Sequence, residues 1–206
     1  MVTPPPAATD PASTPTGELA ALAAVSRATA DHPGVQSAAR ALSHVGEHAL
    51  GWVVLGTLGG LLATDRRPWV DAVVGALGAH AASVALKRVV RRRRPAHPDV
   101  AVRVGTPSRL SFPSSHATST TAAAVLLGDA LGAPRGVLPA VLVGPMAASR
   151  LVLGVHYPTD VLAGSALGWA SAAAVRAARR RGLLEALPTP TGRRPRRARE
   201  NGAGPR

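Results

Sequence analysis

The chain contains no cysteine, so a disulfide framework, a thiolate zinc site and a cysteine nucleophile are all excluded. Aromatics are few: one Phe, one Tyr and three Trp among 206 residues, scattered rather than interleaved with basic side chains. Single-strand binders stack bases on such rings, so nucleic acid finds no platform here despite a sequence pI near 11.9. Carboxylates are scarce too, 11 against 24 Lys+Arg, which leaves a formal charge of +13, and Lys87 is the single lysine. There is no Gly-rich phosphate loop, no EF-hand or zinc pattern and no internal repeat. What the chain holds in quantity is Ala, Leu, Val and Gly in long runs, with arginines at the ends of those runs. That placement is the mark of a polytopic membrane protein.

Residues 1–16 hold five prolines and almost no large apolar side chains, so burial does not offset the entropy of ordering them, and they read as a disordered tail. Without a basic start and an apolar run they are not a secretory signal. Residues 17–45 are Ala-rich and helix-prone but carry Glu18, Arg27, Asp31, His32 and Arg40, the pattern of an amphipathic or weakly spanning helical region. Five apolar segments follow, at about 46–64, 69–86, 116–132, 136–155 and 158–176, each near the roughly 20 residues that cross a bilayer core. The expected fold is all-α, a polytopic membrane helical bundle with about five to six transmembrane helices, its core at residues 46–181 and a basic, disordered tail at 182–206. Spacings such as Gly56 to Gly60 and Gly164 to Gly168 permit close helix contact.

Counting spans alternately brings the stretch from Lys87 to Ser115 and the turn from Ser149 to Tyr157 to one face of the membrane. That face carries Lys87 and Arg94-Pro95, then Pro113-Ser114-Ser115-His116, then Ser149-Arg150 followed by His156 and Asp160. Cations, hydroxyls, two imidazoles and a carboxylate are the inventory for binding and attacking a phosphate. Each group alone has an ordinary reading: a span-flanking charge run, an interfacial histidine, a helix-start carboxylate, a snorkelling arginine. Those readings do not explain why all of them coincide on one face.

In this order and with these gaps, K-x6-R-P, P-S-x-H and S-R-x5-H-x3-D resemble the three signature motifs of the type-2 phosphatidic acid phosphatase superfamily, which also includes vanadium haloperoxidases. The resemblance spans about residues 46 to 178. It implies a metal-independent phosphatase on a helical bundle, without cofactor, working through a phosphohistidine. Ser115 departs from the glycine usual in the second motif, which a serine accommodates if its φ is negative. Within the superfamily, the short chain, the P-S-S-H variant and the Arg-rich, Lys-poor composition look similar to small actinobacterial decaprenylphosphoryl-phosphoribose phosphatases.

His156 and Asp160 are four apart, so a helix starting near them puts both on one face, with the carboxylate holding one ring nitrogen protonated while the other attacks phosphorus. Pro158 is tolerated in the first turn of such a helix. His116, at the start of another helix, is the candidate general acid and base. Lys87 and Arg94, two helical turns apart if the helix continues, and Arg150 with its planar fork would bind phosphate oxygens and stabilise the transition state. Ser114 and Ser115, with the N–H groups at the helix start, would complete an anion nest. No metal ligand set is expected. His80 faces either the same cavity or a helix neighbour, Asp71 and Asp129 are structural partners for Arg66, Arg67 and Arg135, and the stretch from His97 to Leu110 with Arg103 and Arg109 reads as a solvated loop.

The expected partners are a lipid phosphate substrate and the membrane. The side opposite the site holds thirteen arginines against nine Lys+Arg on the site's side, which favours a cytoplasmic C-terminus and a site facing outward from a bacterial plasma membrane. Undecaprenyl pyrophosphate, phosphatidylglycerophosphate and phosphatidic acid stay open as substrates. Halide oxidation with bound vanadate is a second enzyme reading, and a basic membrane anchor acting through the arginine tail is a non-enzymatic one.

Overall fold

In the computed structural model, residues 14–185 are described, and they form seven α-helices: α1 (Gly17–Ala28), α2 (Pro33–Gly46), α3 (Leu50–Leu62), α4 (Arg67–Val90), α5 (Ser115–Ala130), α6 (Val137–Val152) and α7 (Pro158–Arg180). The tails read as disordered, 1–16 and 182–206, lie almost wholly outside the described residues. Proline stands in the first turn of α2, α4 and α7, where its missing N–H is no loss and its fixed φ suits the helix. Among the described residues there is no strand, only an isolated bridge between Arg93 and Leu110.

Three stretches are long and apolar enough to cross a bilayer, Pro33–Leu62, α4 and α7, and α6 is a shorter apolar helix of 16 residues. The first of them differs from the expected 46–64 span. It begins at Pro33 and is broken by a 3-10 turn at Glu47–Ala49, where His48 (φ 50°) and Ala49 (φ 61°) take left-handed conformations. Neither residue is glycine or proline.

α5 is the axis of the bundle, packed against α4, α7 and α6, with every residue from Ala117 to Leu127 buried. Its Ala, Ser and Thr side chains are small enough for close approach. A methyl group on Gly164 of α7 would come within 2.7 Å of the Ser114 carbonyl oxygen, and Gly168 sits as tightly against Thr118. Trp52 of α3 is buried and donates its indole N–H to Thr120 Oγ1 at 3.2 Å. The polarity is inverted relative to a water-soluble bundle: Ser83, Thr118, Ser119, Thr120 and Thr121 are inside, while Leu58, Leu61, Leu62, Leu77, Val141 and Leu162 are exposed. Lipid is the solvent that such a surface suits.

Asp71 and Asp129 are structural, but their partners come from α7. Arg176 grips Asp129 through Nε at 2.7 Å and Nη2 at 2.8 Å, and Arg179 grips Asp71. The two arginines are three apart and share a face, so one helix pins both α4 and α5. α1 and α2 pack onto α6, which draws residues 17–45 into the body of the protein.

Candidate active site

α4 runs out just after Lys87. Arg91 takes a left-handed conformation (φ 56°), and the chain then runs extended beside residues 109–111, with Ser111 N–H donating to the Arg92 carbonyl at 2.8 Å. The helix therefore does not continue to Arg94, which reaches the site from a loop instead. Lys87 stays at the base of that loop, 8% exposed, its ammonium donating to the carbonyls of Ser111 (2.9 Å) and Pro113 (2.6 Å) and, at 3.4 Å, Leu110. It fastens the segment leading into α5 while lining the cavity.

At the start of α5, Ser114 is fully buried and spends its hydroxyl as N-cap, accepting from Ala117 N–H at 3.4 Å. It does not line the cavity, unlike Ser115 and His116. Ser115 has negative φ inside the first turn, so serine replaces glycine there without strain, and its hydroxyl lies 2.7 Å from that of Ser83. His116 Nε2 lies 3.0 Å from the Ser43 carbonyl oxygen; a carbonyl only accepts, so Nε2 carries the hydrogen.

The third motif supplies the rest. Arg150, 2% exposed, donates from Nε to Ser149 Oγ (3.1 Å) and from Nη1 to Ser43 Oγ (3.0 Å), while its Nη2 is buried with no partner among the described residues. A buried guanidinium whose only partners are neutral hydroxyls is an unsatisfied cation. Arg94 donates from Nε to Ser108 (2.8 Å) and from Nη1 to the Val155 carbonyl (2.7 Å), and Nη1 also lies 3.2 Å from His156 Nε2. Arginine cannot accept, so Nε2 of a neutral His156 is the bare nitrogen and Nδ1 carries the hydrogen. Nδ1 faces Asp160 Oδ2 at 3.5 Å, long for a hydrogen bond but without a competitor among the described residues. Burial, with Arg94 and Lys87 nearby, pushes the His156 imidazolium down to about 4 although Asp160 pulls the other way, so the ring is neutral at pH 7.

Asp160 is fully buried behind His156, in the first turn of α7. Its Oδ2 accepts from Tyr157 N–H at 2.8 Å and its Oδ1 from Arg92 Nη1 at 2.9 Å. Lys87, Arg94, Ser115, His116, Arg150 and His156 thus converge on one cavity of about 780 Å³, with Asp160 in support and Ser114 holding the helix start. Arg88 adds a fourth cation to the lining, and among the described residues Glu47 is its one carboxylate. The field inside favours an anion. Among the described residues no three His, Asp or Glu side chains gather as metal ligands.

Several lining residues escape a motif reading. Ser43, His44, Glu47 and His48 come from α2 and the turn after it, and His80 faces the same space, its ring 5.8 Å from that of His48. Residues 104–108 cover the cavity, and Arg103 ties that loop down through the carbonyls of Val152 (2.8 Å) and Ser26 (3.1 Å). The expected solvated loop is a fastened cover. Ser43 carries no motif, and its link to Arg150 bridges 107 positions of sequence; the one hint is that Ser43, His44, Glu47 and His48 stand together at the edge of an apolar segment.

Residues 68–182 match the family described as the PAP2 superfamily. The chain is 64% identical over 151 residues, 73% of its length and 82% of the relative's, to a protein of Mycolicibacterium smegmatis named decaprenylphosphoryl-5-phosphoribose phosphatase. A Mycobacterium tuberculosis protein of the same name is 58% identical over 155 residues, 75% of this chain and 86% of that one. The fold is similar, with a TM-score of 0.63 and 23% identity over 78% of this chain and 85% of the other, to the crystal structure of a transmembrane PAP2-type phosphatidylglycerolphosphate phosphatase from Bacillus subtilis.

Proposed function

The chain belongs to the PAP2 superfamily and is a membrane phosphatase, and from that premise we propose that it removes the 5-phosphate of a polyprenylphosphoryl-5-phosphoribose lipid through a phosphohistidine at His156. The observation that carries the reading is the pairing of a bare His156 Nε2 with the buried, partnerless Arg150 Nη2 at one cationic cavity.

An incoming phosphate oxygen takes Arg94 away from His156, and Nε2 attacks phosphorus. The P–N bond forms as the bond from phosphorus to the ribose 5-oxygen breaks, and His116, protonated on its free Nδ1 once the negatively charged phosphate occupies the cavity, gives that oxygen the Nδ1 proton. Water then attacks the phosphohistidine, yields a proton to His116, and the P–N bond breaks to release inorganic phosphate. Arg94 and Arg150 stabilise the charge on the equatorial oxygens, Lys87 holds the α5 start where Ser115 and the first N–H groups can receive them, and Asp160 stabilises the charge that His156 gains. These cations take the charge-stabilising role, so turnover is expected to persist in EDTA.

The sugar is supported by the names of the relatives and by the rest of the cavity lining, in which His44, Glu47, His48 and His80 offer donors and acceptors beyond what a phosphate needs. A glycerolipid phosphate would leave several of them unmatched.

The test is phosphate release by detergent-purified protein, in EDTA, from decaprenylphosphoryl-5-phosphoribose, undecaprenyl pyrophosphate, phosphatidylglycerophosphate and phosphatidic acid. Preference for the first, lost in both His156→Ala and His116→Ala, is expected. Equal or better turnover of a glycerolipid phosphate would sink the substrate assignment. The site is further proposed to face outward from the plasma membrane. As the chain lacks cysteine, Thr106→Cys should react with an impermeant maleimide on whole cells while Arg135→Cys should not; the reverse pattern would invert the topology.

A further inference from the structure

Asp160 is fully buried, and its neighbour His156 is neutral at rest, so a buried carboxylate needs a different counter-charge until the histidine becomes cationic. Arg92 supplies it, with Nη1 2.9 Å from Asp160 Oδ1 and 2.7 Å from Thr159 Oγ1, and its guanidinium carbon 3.9 Å above the centre of the Tyr157 ring. Arg92 is in turn held by Glu18 of α1, whose Oε2 accepts from Nη2 at 2.6 Å. The other carboxylate oxygen of Glu18 accepts both the backbone N–H (2.8 Å) and the hydroxyl (2.8 Å) of Thr159, so it also satisfies a free N–H in the first turn of α7, which carries Asp160. Burial works against the Glu18 charge, yet the Thr159 backbone and Arg92 outweigh it and hold the carboxyl below its ordinary range.

Neither Glu18 nor Arg92 lines the cavity, and Glu18 lies well outside residues 68–182 that match the family. Resting on the phosphohistidine reading above, we infer that Glu18 and Arg92 are positioning residues for the reaction: α1 straps the catalytic turn through the chain Glu18–Arg92–Asp160–His156, which fixes the carboxylate that orients the nucleophile. Glu18 is the sole carboxylate of α1. The helix at residues 17–28 is then part of the catalytic unit rather than an appendage lying on the membrane.

The experiment is steady-state kinetics of Glu18→Gln, Arg92→Gln, Arg92→Lys and the double Gln variant in the full-length chain, on whichever lipid phosphate the wild type turns over best, with competitive inhibition by inorganic phosphate as a second readout. Glu18→Gln keeps size and an acceptor oxygen but loses the charge. It is expected to lower kcat about tenfold with KM and phosphate inhibition within about twofold, because the lost contact orients the nucleophile and does not touch the phosphate. Arg92→Gln should lose more and Arg92→Lys should recover part of it. The double variant should be no worse than Arg92→Gln alone, since Glu18 acts through Arg92. An unchanged kcat in Glu18→Gln, a double variant as weak as the product of the singles, or loss of phosphate inhibition together with turnover would overturn the inference; the last would make Glu18 a folding contact only. An inactive wild type would sink the phosphatase mechanism itself, whereas an active wild type with indifferent Glu18 variants would sink the strap alone.

Discussion

The two ends of the bundle both gather arginines, and they treat them differently. At the end holding the α4 start and the α7 end, Arg176 and Arg179 meet Asp129 and Asp71, charge against charge. At the other end Arg150 is more deeply buried than either and, among the described residues, finds only two serine hydroxyls, while Arg94 finds carbonyls and an imidazole. A protein that needed those cations only for stability would have supplied carboxylates, as it did for Arg176 and Arg179. Partnerless burial of a cation is costly and persists where a ligand completes it. Arg92 falls between the two cases: it lies at the site's end but is paired with Glu18 and Asp160, which marks it as support for the reacting group rather than as a phosphate ligand.

The contrast can be broken most sharply at the nucleophile. His156→Ala is expected to lower the rate of single-turnover phosphate release by about 10³-fold or more while the protein still binds inorganic phosphate. Arg150→Met should follow at about 10²-fold, read as kcat/KM, with Arg150→Lys recovering little because an ammonium lacks the planar fork. In the paired region the same change should do the opposite: Arg179→Met is expected to lower the thermal midpoint and to leave kcat within about twofold, since it removes an ion pair and no phosphate contact. If Arg150→Met and Arg179→Met gave the same profile, the distinction between the ends would fail. The smallest effect expected is in the acid limb of activity. His156 must be unprotonated to attack, and its folded value is depressed to about 4, so kcat/KM should hold down to mildly acidic pH and fall as pH drops through that value. Asp160 favours the imidazolium, so Asp160→Asn should move the limb to lower pH; an upward move would contradict the assigned geometry.

The groups proposed to react stand out in the sequence because phosphate chemistry demands particular residue types at short, fixed spacings: Ser149-Arg150, and His156 four before Asp160. Their convergence followed from counting spans. Ser114 shows the limit of that reading, since a serine just before a helix can bind an anion or cap the helix, and only packing decides; here it caps. Arg94 shows another, because reaching the site did not require α4 to continue, only a loop of the right length. Glu18 carries no signal in the sequence, Ser43 almost none and Arg92 none. Their partners lie 141, 107 and 68 positions away, pairings that no local periodicity encodes. The break at Glu47–Ala49 was silent too, because the left-handed residues there are His48 and Ala49, neither of them the glycine that ordinarily marks such a conformation. Asp71 and Asp129 are structural as their positions suggest, but a single face of α7 serves both in place of the arginines near them in sequence.

The most direct measurement is to trap the phosphoenzyme. Full-length protein, mixed with substrate labelled in its 5-phosphate and quenched in alkali, should carry the label on His156, and His156→Ala should carry none. Label on Ser115 or another side chain, or a wild type that turns over without ever acquiring label, would contradict the central claim that the bare nitrogen of His156 is the nucleophile of this site.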